Sequence, residues 1–412
     1  MPVARHALTQ ATCLALDAND RLAHARERFR LPPGIIYLDG NSLGPLPAAA
    51  PALIADAVAS QWGEGLIRSW NDAGWIDLPL RIGASIAPLL GAAADSVIAG
   101  DSVSVNLFKL AGAALALRPG RRVILAEAAD FPTDAYVLAG LAQFAGAELR
   151  LVASDAIAAA LADDVALLVL THAHYATGAV HDMAAMTAAA HAAGALALWD
   201  LSHSAGALQL ALDADGADFA IGCGYKYLNG GPGAPAFAYV ARRHHGVFRS
   251  PLQGWMGHAA PFDFTQDYAP AAGIARLAVG TPPILAMTAL AAGVATFDGI
   301  ALAKAEAKSA ALVGCFADLV AAHCPGVSVE PPRAARHGAQ VIVRHPHGRR
   351  VMAALIARGV IGDFRPPDRM RFGFPALYTR FVDLWDAVDI MAGVIDSGEW
   401  QDARFDTLGM VS

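Results

Sequence analysis

The chain has 412 residues, enough for more than one hydrophobic core. A net charge of −7 and a pI near 6.0 exclude a protein built to hold nucleic acid or an anionic membrane through basic patches. Hydrophobic content is 55%, much of it alanine, and the long uncharged run Leu277–Phe297 is interrupted by Pro282-Pro283, so it reads as a loop entering a buried helix and no membrane span is expected. The first residues carry no continuous apolar segment of the secretory kind. Cys13, Cys223, Cys315 and Cys324 show neither zinc spacing nor a CxxC pair, so free thiols in a cytoplasmic setting are expected.

Residues 1–30 read as helical and stop at Pro32-Pro33-Gly34. A short strand over Ile35–Leu38 enters a turn in which Asp39, Asn41 and Ser42 either form a plain turn or line a pocket. Ala48–Trp62 reads as a helix. Trp70 and Trp75 follow Trp62 closely, a cluster that packs a core or interface, or walls an aromatic substrate. Leu80–Leu90 is a second helix, ending at Gly91. Val97–Leu110 is a strand, a turn and a helix start. Free amides at such a start suit a phosphate, although Ser102 or Ser104 could equally be a plain cap.

Arg121–Glu127 is a buried strand, followed by DFPTDAY, where Phe131 can stack on a flat ring and Asp134 can bond to a cofactor hydroxyl or its neighbours. A helix over Tyr136–Gly146, a strand over Glu148–Val152, a helical turn over Ile157–Ala162 and a strand over Val165–Leu170 come next. That strand ends at Thr171. His172 and His174 beyond it lack a carboxylate partner in the pattern, and no metal site is expected. A helix over Met183–Gly194 leads to a strand, Ala195–Trp199, that ends on Asp200, with His203 three residues later. The apolar run Ala217–Ile221 then delivers GCGYKYLNGGPG, in which Lys226 stands between two tyrosines among glycines that let backbone pack closely. Taken singly, Lys226 is a surface lysine and Asp200 a helix cap. Together they suggest a pyridoxal phosphate site: the lysine forms a Schiff base and the aspartate keeps the pyridine nitrogen protonated.

Strands and helices alternate from about residue 95 to 240, which predicts a mostly parallel sheet covered on both faces. Ligands bind beyond the carboxyl ends of such strands. Asp101–Ser104, Phe131–Asp134, Thr171, Asp200–His203 and Tyr225–Lys226 all fall at such ends. After a strand over Ala236–Val240, loops carry Trp255, His258 and Thr281, the last a candidate cap for a helix over Ile284–Phe297. A helix over Ala301–Cys324 leads to a small unit with strands at Val327–Val329, Gln340–Arg344 and near Met370–Phe372, and helices at Arg350–Arg358 and Arg380–Asp396. Arg365, Arg369 and Arg371 there are either a solvated basic patch or the source of a guanidinium that grips a carboxylate.

The runs YLDGNSLGPLP, GLIRSWNDAGW, DSVSVNLFKL, DFPTDAY, DLSHSAG, GYKYLNGGPGAP, GWMGH, GTPPIL and RFGFPALY together resemble the kynureninases, pyridoxal phosphate enzymes of fold type I. The resemblance runs through most of the chain. It implies an α/β fold with a large cofactor-binding domain over 56–300, its mostly parallel central sheet flanked by helices, a small C-terminal α/β domain over 301–412, and an N-terminal segment, 1–55, packing on the small domain. The implied reaction cleaves L-kynurenine, with its 3-hydroxy derivative a further candidate substrate, to an anthranilate and L-alanine, in tryptophan degradation or NAD precursor metabolism. Lys226 and Asp200 take the roles given above, and Tyr225 reaches the phosphate and takes part in acid–base steps. His203 supports the ring, Phe131 stacks on it with Pro132, Thr133 and Asp134 nearby, and Thr171 lies on the same rim. Val103, through its backbone alone, and Ser104 form the phosphate turn. Trp255 and Thr281 complete the phosphate site, across the interface of a homodimer. Arg371 binds the α-carboxylate, and Ser42 and Trp70 border the aromatic end of the substrate. The competing readings are another fold-type-I enzyme, a cysteine desulfurase or an aminotransferase, and a non-catalytic cofactor binder. A desulfurase needs a mobile nucleophilic cysteine, and Cys223, Cys315 and Cys324 lie in strand or helix. A binder would not need Lys226, Asp200 and Arg371 together.

Overall fold

The computed structural model describes residues 8–330 and 336–406, and in it the apolar runs between Val97 and Val240 become strands. They are β1 (Val97–Ala99), β2 (Val123–Glu127), β3 (Glu148–Val152), β4 (Val165–Thr171), β5 (Leu196–Asp200), β6 (Phe219–Gly222) and β7 (Phe237–Val240). They form one seven-stranded sheet in the order β1-β7-β6-β5-β4-β2-β3. Neighbours from β6 to β3 pair in parallel, whereas β7 is antiparallel to both β6 and β1. Every strand except β3 is buried at each position, which is why these strands read as unbroken apolar runs.

The flanking helices are α1 (Leu78–Leu90), α2 (Val103–Leu117), α3 (Pro132–Ala145), α4 (Met183–Ala192) and α5 (Ile284–Val294). Leu107 and Leu110 of α2 and Leu138 and Leu141 of α3 share a core with Ile124, Leu167, Phe219 and Ile221 of the sheet. Each such side chain contributes roughly 1.5–3 kcal/mol by leaving water. These elements belong to a compact unit made of Ala49–Tyr175 and His181–Phe297.

Asp218, just before β6, is a buried hub of this unit. It accepts bonds from His191 Nε2 (2.7 Å), His244 Nε2 (2.7 Å), Arg243 Nη2 (2.6 Å) and the Ala197 amide (2.8 Å). Burial opposes the charge, but these donors outweigh it and hold the carboxyl well below the usual carboxylate range. A depressed native pKa adds stability that is present above the unfolded value, near 3.9, and is lost as pH falls below it. Asp218→Ala is therefore expected to destabilise the protein by roughly 2–4 kcal/mol at pH 7. Thermal unfolding against pH checks this: the gap to wild type should narrow below about pH 4, and a gap independent of pH would contradict it.

The second compact unit comprises the described residues of Met1–Ala48, Ala176–Val180 and Asp298–Ser412. Its helices are α6 (Leu302–His323), α7 (Gly348–Ala357) and α8 (Phe381–Ser397). Its strands β8 (Ser328–Glu330), β9 (Gln340–Arg344), β10 (Asp363–Arg365) and β11 (Arg369–Gly373) form an antiparallel sheet in the order β8-β9-β11-β10. Phe316 of α6 packs its ring 5.2 Å from Phe372 and 5.0 Å from Phe374. The N-terminal helix Gln10–Ala18 adds Cys13 to this core. Its Asp17 accepts the amides of Phe381 and Val382, so a carboxylate meets the positive end of α8.

Several expected boundaries move. Of residues 1–30, the first seven lie outside the described residues, only Gln10–Ala18 is α-helical, and Phe29–Arg30 pairs with Leu46–Pro47 as a short strand. The helix expected over Ala48–Trp62 is α-helical to Asp56 and continues in wider turns to Gly65. α3 starts at Pro132 rather than Tyr136, because proline's fixed φ suits the first helical position. That moves Thr133 and Asp134 from a loop into the first turn of a helix. Thr281 does not cap α5: the cap position is Pro283, and the two prolines separate Thr281 from the helix start. Trp62 is well exposed, which leaves the tryptophan cluster as Trp70 packed edge-on against Trp75 at 6.0 Å.

Candidate active site

The turn that carries Lys226 leaves the carboxyl end of β6. It closes on itself through Gly230 N–H donating to the Gly224 carbonyl at 2.8 Å. A Cβ on Gly224 would stand 2.2 Å from the Pro235 carbonyl oxygen, so only glycine permits this approach. Lys226 projects into an open cavity of about 660 Å3 along the carboxyl rim of the sheet. The start of α2, beyond β1, supplies Val103 and Ser104, and the segment after β2 supplies Phe131, Thr133 and Asp134. Thr171 and Tyr175 come from the end of β4, Asp200, Ser202 and His203 from the end of β5, and Tyr225 and Lys226 follow β6. Five separate strand ends thus meet at one cavity.

Lys226 Nζ lies 3.0 Å from His203 Nε2. Asp200 is buried and its Oδ1 accepts the Ser202 amide at 2.7 Å. Asp134 is buried too, and that burial, with the charge of Asp200 next in weight, raises its carboxyl well above the usual range. Asp130, whose Oδ2 accepts the Thr171 amide at 3.1 Å, is pushed up to about 7, chiefly by burial. Of the three, Asp134 and Asp200 line the cavity, close enough for the charge of one to raise the other. Burial also pushes the Tyr225 hydroxyl up, with Cys223 and Asp200 adding to the effect. Phe131 is 43% exposed and meets Tyr175 edge-on at 5.3 Å.

At the α2 start, Ser102 is the cap: its hydroxyl accepts the Val105 amide. Val103 and Ser104 line the cavity, and their amides, in the first turn at the positive end of the helix dipole, have no partner within the helix. An amine, a carboxyl cluster and an anion-seeking helix start match the three demands of pyridoxal phosphate: an aldehyde, a protonated ring nitrogen and a phosphate. The residues present therefore fit that group.

In the second unit Arg371 is buried, 2% exposed, on β11. Its Nε and Nη2 donate to Asp363 Oδ1 (2.9 Å) and Oδ2 (2.5 Å), and Nη2 also donates to Ser42 Oγ at 2.9 Å. The Asn41 amide lies against the same guanidinium, and with its oxygen and nitrogen assigned as the hydrogen-bond network requires, the oxygen accepts from Nε at 2.9 Å. Arg365 reaches Asp363 as well, at 2.7 Å. Asp39 beside them is pushed up to about 7, by burial first and by the charge of Asp363 second. Of the two readings of the arginine cluster, the solvated patch fails for Arg371. The Ser42 hydroxyl, expected at the aromatic end of a substrate, is engaged with Arg371 and Asp363. Among the described residues, Trp70, Trp255, Thr281 and Pro132 do not line the Lys226 cavity. Trp255 packs against Phe262 at 5.6 Å, and Thr281 lines a separate cavity with Asp101 and Lys109.

Sequence reasoning assigns no role to Asp130, Tyr175, Ser202 and Asp363. The first three lie next to, or a few residues beyond, strand ends already singled out, which was the available signal. Asp363 faces Arg371 directly across the β10–β11 pair, a register the two-proline turn between them could have suggested. All four cysteines are free and buried, and burial pushes their thiols up, Cys324 to about 12. None offers an exposed thiolate.

A solved structure of a cysteine desulfurase from Thermococcus onnurineus NA1 matches this fold with a TM-score of 0.77 at 20% identity, over 91% of this chain and 98% of that one. A lysine-to-alanine variant of C-DES, with glycine covalently linked to its PLP cofactor, matches at 0.75 and 18% identity, over 89% of this chain and 98% of that one. Fold and site together define a pyridoxal phosphate enzyme of fold type I. The family model for the kynureninase C-terminal domain matches residues 305–391, and the chain is 49% identical to a kynureninase of Burkholderia mallei (strain SAVP1), over 98% of this chain and 100% of that relative. The chain belongs to the kynureninase family.

Proposed function

We propose that this chain hydrolyses the Cβ–Cγ bond of L-kynurenine, giving anthranilate and L-alanine. The observation that carries the reading is Lys226 Nζ, 3.0 Å from His203, in a cavity whose wall includes buried Asp200. Family membership at 49% identity over nearly the whole chain supplies the substrate. The buried thiols argue against a desulfurase, even though the matching structures above include one.

Pyridoxal phosphate, when bound, supplies an aldehyde for amines and a ring that draws electrons from the bonds at the substrate α-carbon. Lys226 would hold that aldehyde, Asp200 with His203 the ring nitrogen, Phe131 the ring face, and Val103, Ser104 and Tyr225 the phosphate. Thr133, Asp134 and Thr171 border the same ring in this reading. Lys226 Nζ takes and returns the proton at the substrate α-carbon. Water adds to the γ-carbonyl, the Cβ–Cγ bond breaks, and the Tyr225 hydroxyl delivers a proton toward Cβ. Arg371, aligned by Asp363 and Ser42, grips the α-carboxylate, and Trp70 borders the aromatic end.

The same proposal places Trp255 and Thr281 in a homodimer, each loop completing the phosphate site of the other copy. Four buried free thiols and the lack of any single helix long and apolar enough to cross a membrane, among the described residues, fit a cytoplasmic enzyme of tryptophan breakdown or NAD precursor supply. Incubating the protein and pyridoxal phosphate with L-kynurenine should release anthranilate, read by its fluorescence, together with equimolar alanine. The 3-hydroxy analogue run alongside ranks the two substrates. A protein that binds pyridoxal phosphate yet turns over neither would overturn the substrate assignment and leave the cofactor reading standing.

A further inference from the structure

One buried cation of the large unit lies outside the Lys226 cavity. Lys109, two turns into α2, is 2% exposed, and burial pulls its ammonium pKa down. Its Nζ donates to Asp101 Oδ2 at 2.5 Å and to the Leu277 carbonyl at 2.8 Å. Asp101 is one of four described non-glycine residues at positive φ, here 51°. Aspartate takes up that region more readily than most L-residues but still at a cost, which the bonds around the turn offset. The backbone is tied to the start of β7: Ala236 N–H donates to the Asp101 carbonyl at 2.9 Å, and Gly100 N–H donates to the Ala236 carbonyl at 2.8 Å. Asn106 Nδ2 adds a bond to the Gly100 carbonyl at 2.9 Å. Lys109 provides the remaining tie, from the side-chain end.

Residues of this stretch line two cavities. Val103 and Ser104 line the Lys226 cavity. Asp101 and Lys109 line a cavity of about 530 Å3 together with Leu277 and Thr281. The carboxylate of Asp101, two residues before the amides that would receive a phosphate, is held by Lys109. Left loose, it would be an anion close to an anion site and would release the backbone from its strained φ.

We propose that Lys109 is a positioning residue for the cofactor phosphate: it holds Asp101 against the Leu277 carbonyl and so fixes the turn that presents the Val103 and Ser104 amides. This rests on the reading of the Lys226 cavity as a pyridoxal phosphate site. Because Leu277 lies four residues before Thr281, the same ammonium also ties the turn to the loop assigned above to the second copy's phosphate site.

Apoprotein titrated with pyridoxal phosphate and, separately, with pyridoxal tests this without recourse to activity, using quenching of tryptophan fluorescence as the readout. Lys109→Met should weaken pyridoxal phosphate roughly 10–100-fold, as losses of supporting residues around a bound group do, and leave pyridoxal within about 3-fold of wild type. Adding Asp101→Gly should recover most of the loss, because glycine adopts positive φ with no carboxylate to hold. Equal weakening of both ligands would mean general damage to the fold and overturn the proposal. Unchanged affinity for pyridoxal phosphate would overturn it too. If Lys109→Met does not fold, Asp101→Ala carries the test, because alanine offers Lys109 no carboxylate and disfavours positive φ: a loss confined to the phosphorylated ligand supports the proposal, and no loss overturns it. Wild-type protein that binds neither ligand would sink the cofactor reading itself, a result distinct from a wild type that binds and a variant that binds equally well.

Discussion

Lys226→Ala is expected to lower L-kynurenine hydrolysis by roughly 10³-fold or more, since it removes both the covalent anchor and the base at the α-carbon. The turn should survive the change, because Gly224 and Gly230 close it through the backbone rather than through the lysine side chain. The variant should therefore still fold and still take up pyridoxal phosphate without the yellow absorption of a lysine linkage. Anthranilate fluorescence measures turnover and the visible spectrum measures the linkage. A variant that retains near wild-type turnover would remove Lys226 from its role. One that keeps the yellow absorption would point to another amine.

Asp200→Asn is the second large effect. The amide oxygen can still accept the Ser202 N–H that Asp200 Oδ1 now holds at 2.7 Å, so local geometry is kept while the charge is lost. Without a carboxylate the ring nitrogen is not held protonated, and the electron-withdrawing capacity on which bond cleavage depends falls. Turnover should drop roughly 10²-fold or more, while cofactor binding is largely retained. Equilibrium titration with pyridoxal phosphate and single-turnover rates separate the two effects. An Asp200→Asn enzyme with unchanged rates would show that the charge is not used. Loss of binding with unchanged rates on the residual complex would make Asp200 a binding residue only.

Local patterns carried the large unit well, because a parallel sheet covered on both faces writes itself as unbroken apolar runs, and chain reversals occur where the polar loops stand. For the same reason Val165–Thr171 and Leu196–Asp200 were readable to within a residue or so of their ends. Helix starts were less legible. Pro132 opens α3 rather than preceding it, and Thr281 is cut off from α5 by two prolines. In both cases a proline can end one segment or begin another, and neighbouring residues do not say which.

The amino-acid sequence by itself determined the alternation of strands and helices, the lysine and aspartate at successive strand ends, and the motifs that carry the family. All of these depend on residues close together in the chain. Only the tertiary structure decided that Asp134 and Asp130 crowd Asp200, that Arg371 is buried against Asp363 and Ser42, that Lys109 clamps Asp101, and that Trp255 and Thr281 stand away from this chain's own cavity. Ser42 and Arg371 are 329 positions apart, and no periodicity spans such a distance. The charge state of a buried carboxyl is set by which groups share its low-dielectric surroundings, and those neighbours are chosen by how the chain packs.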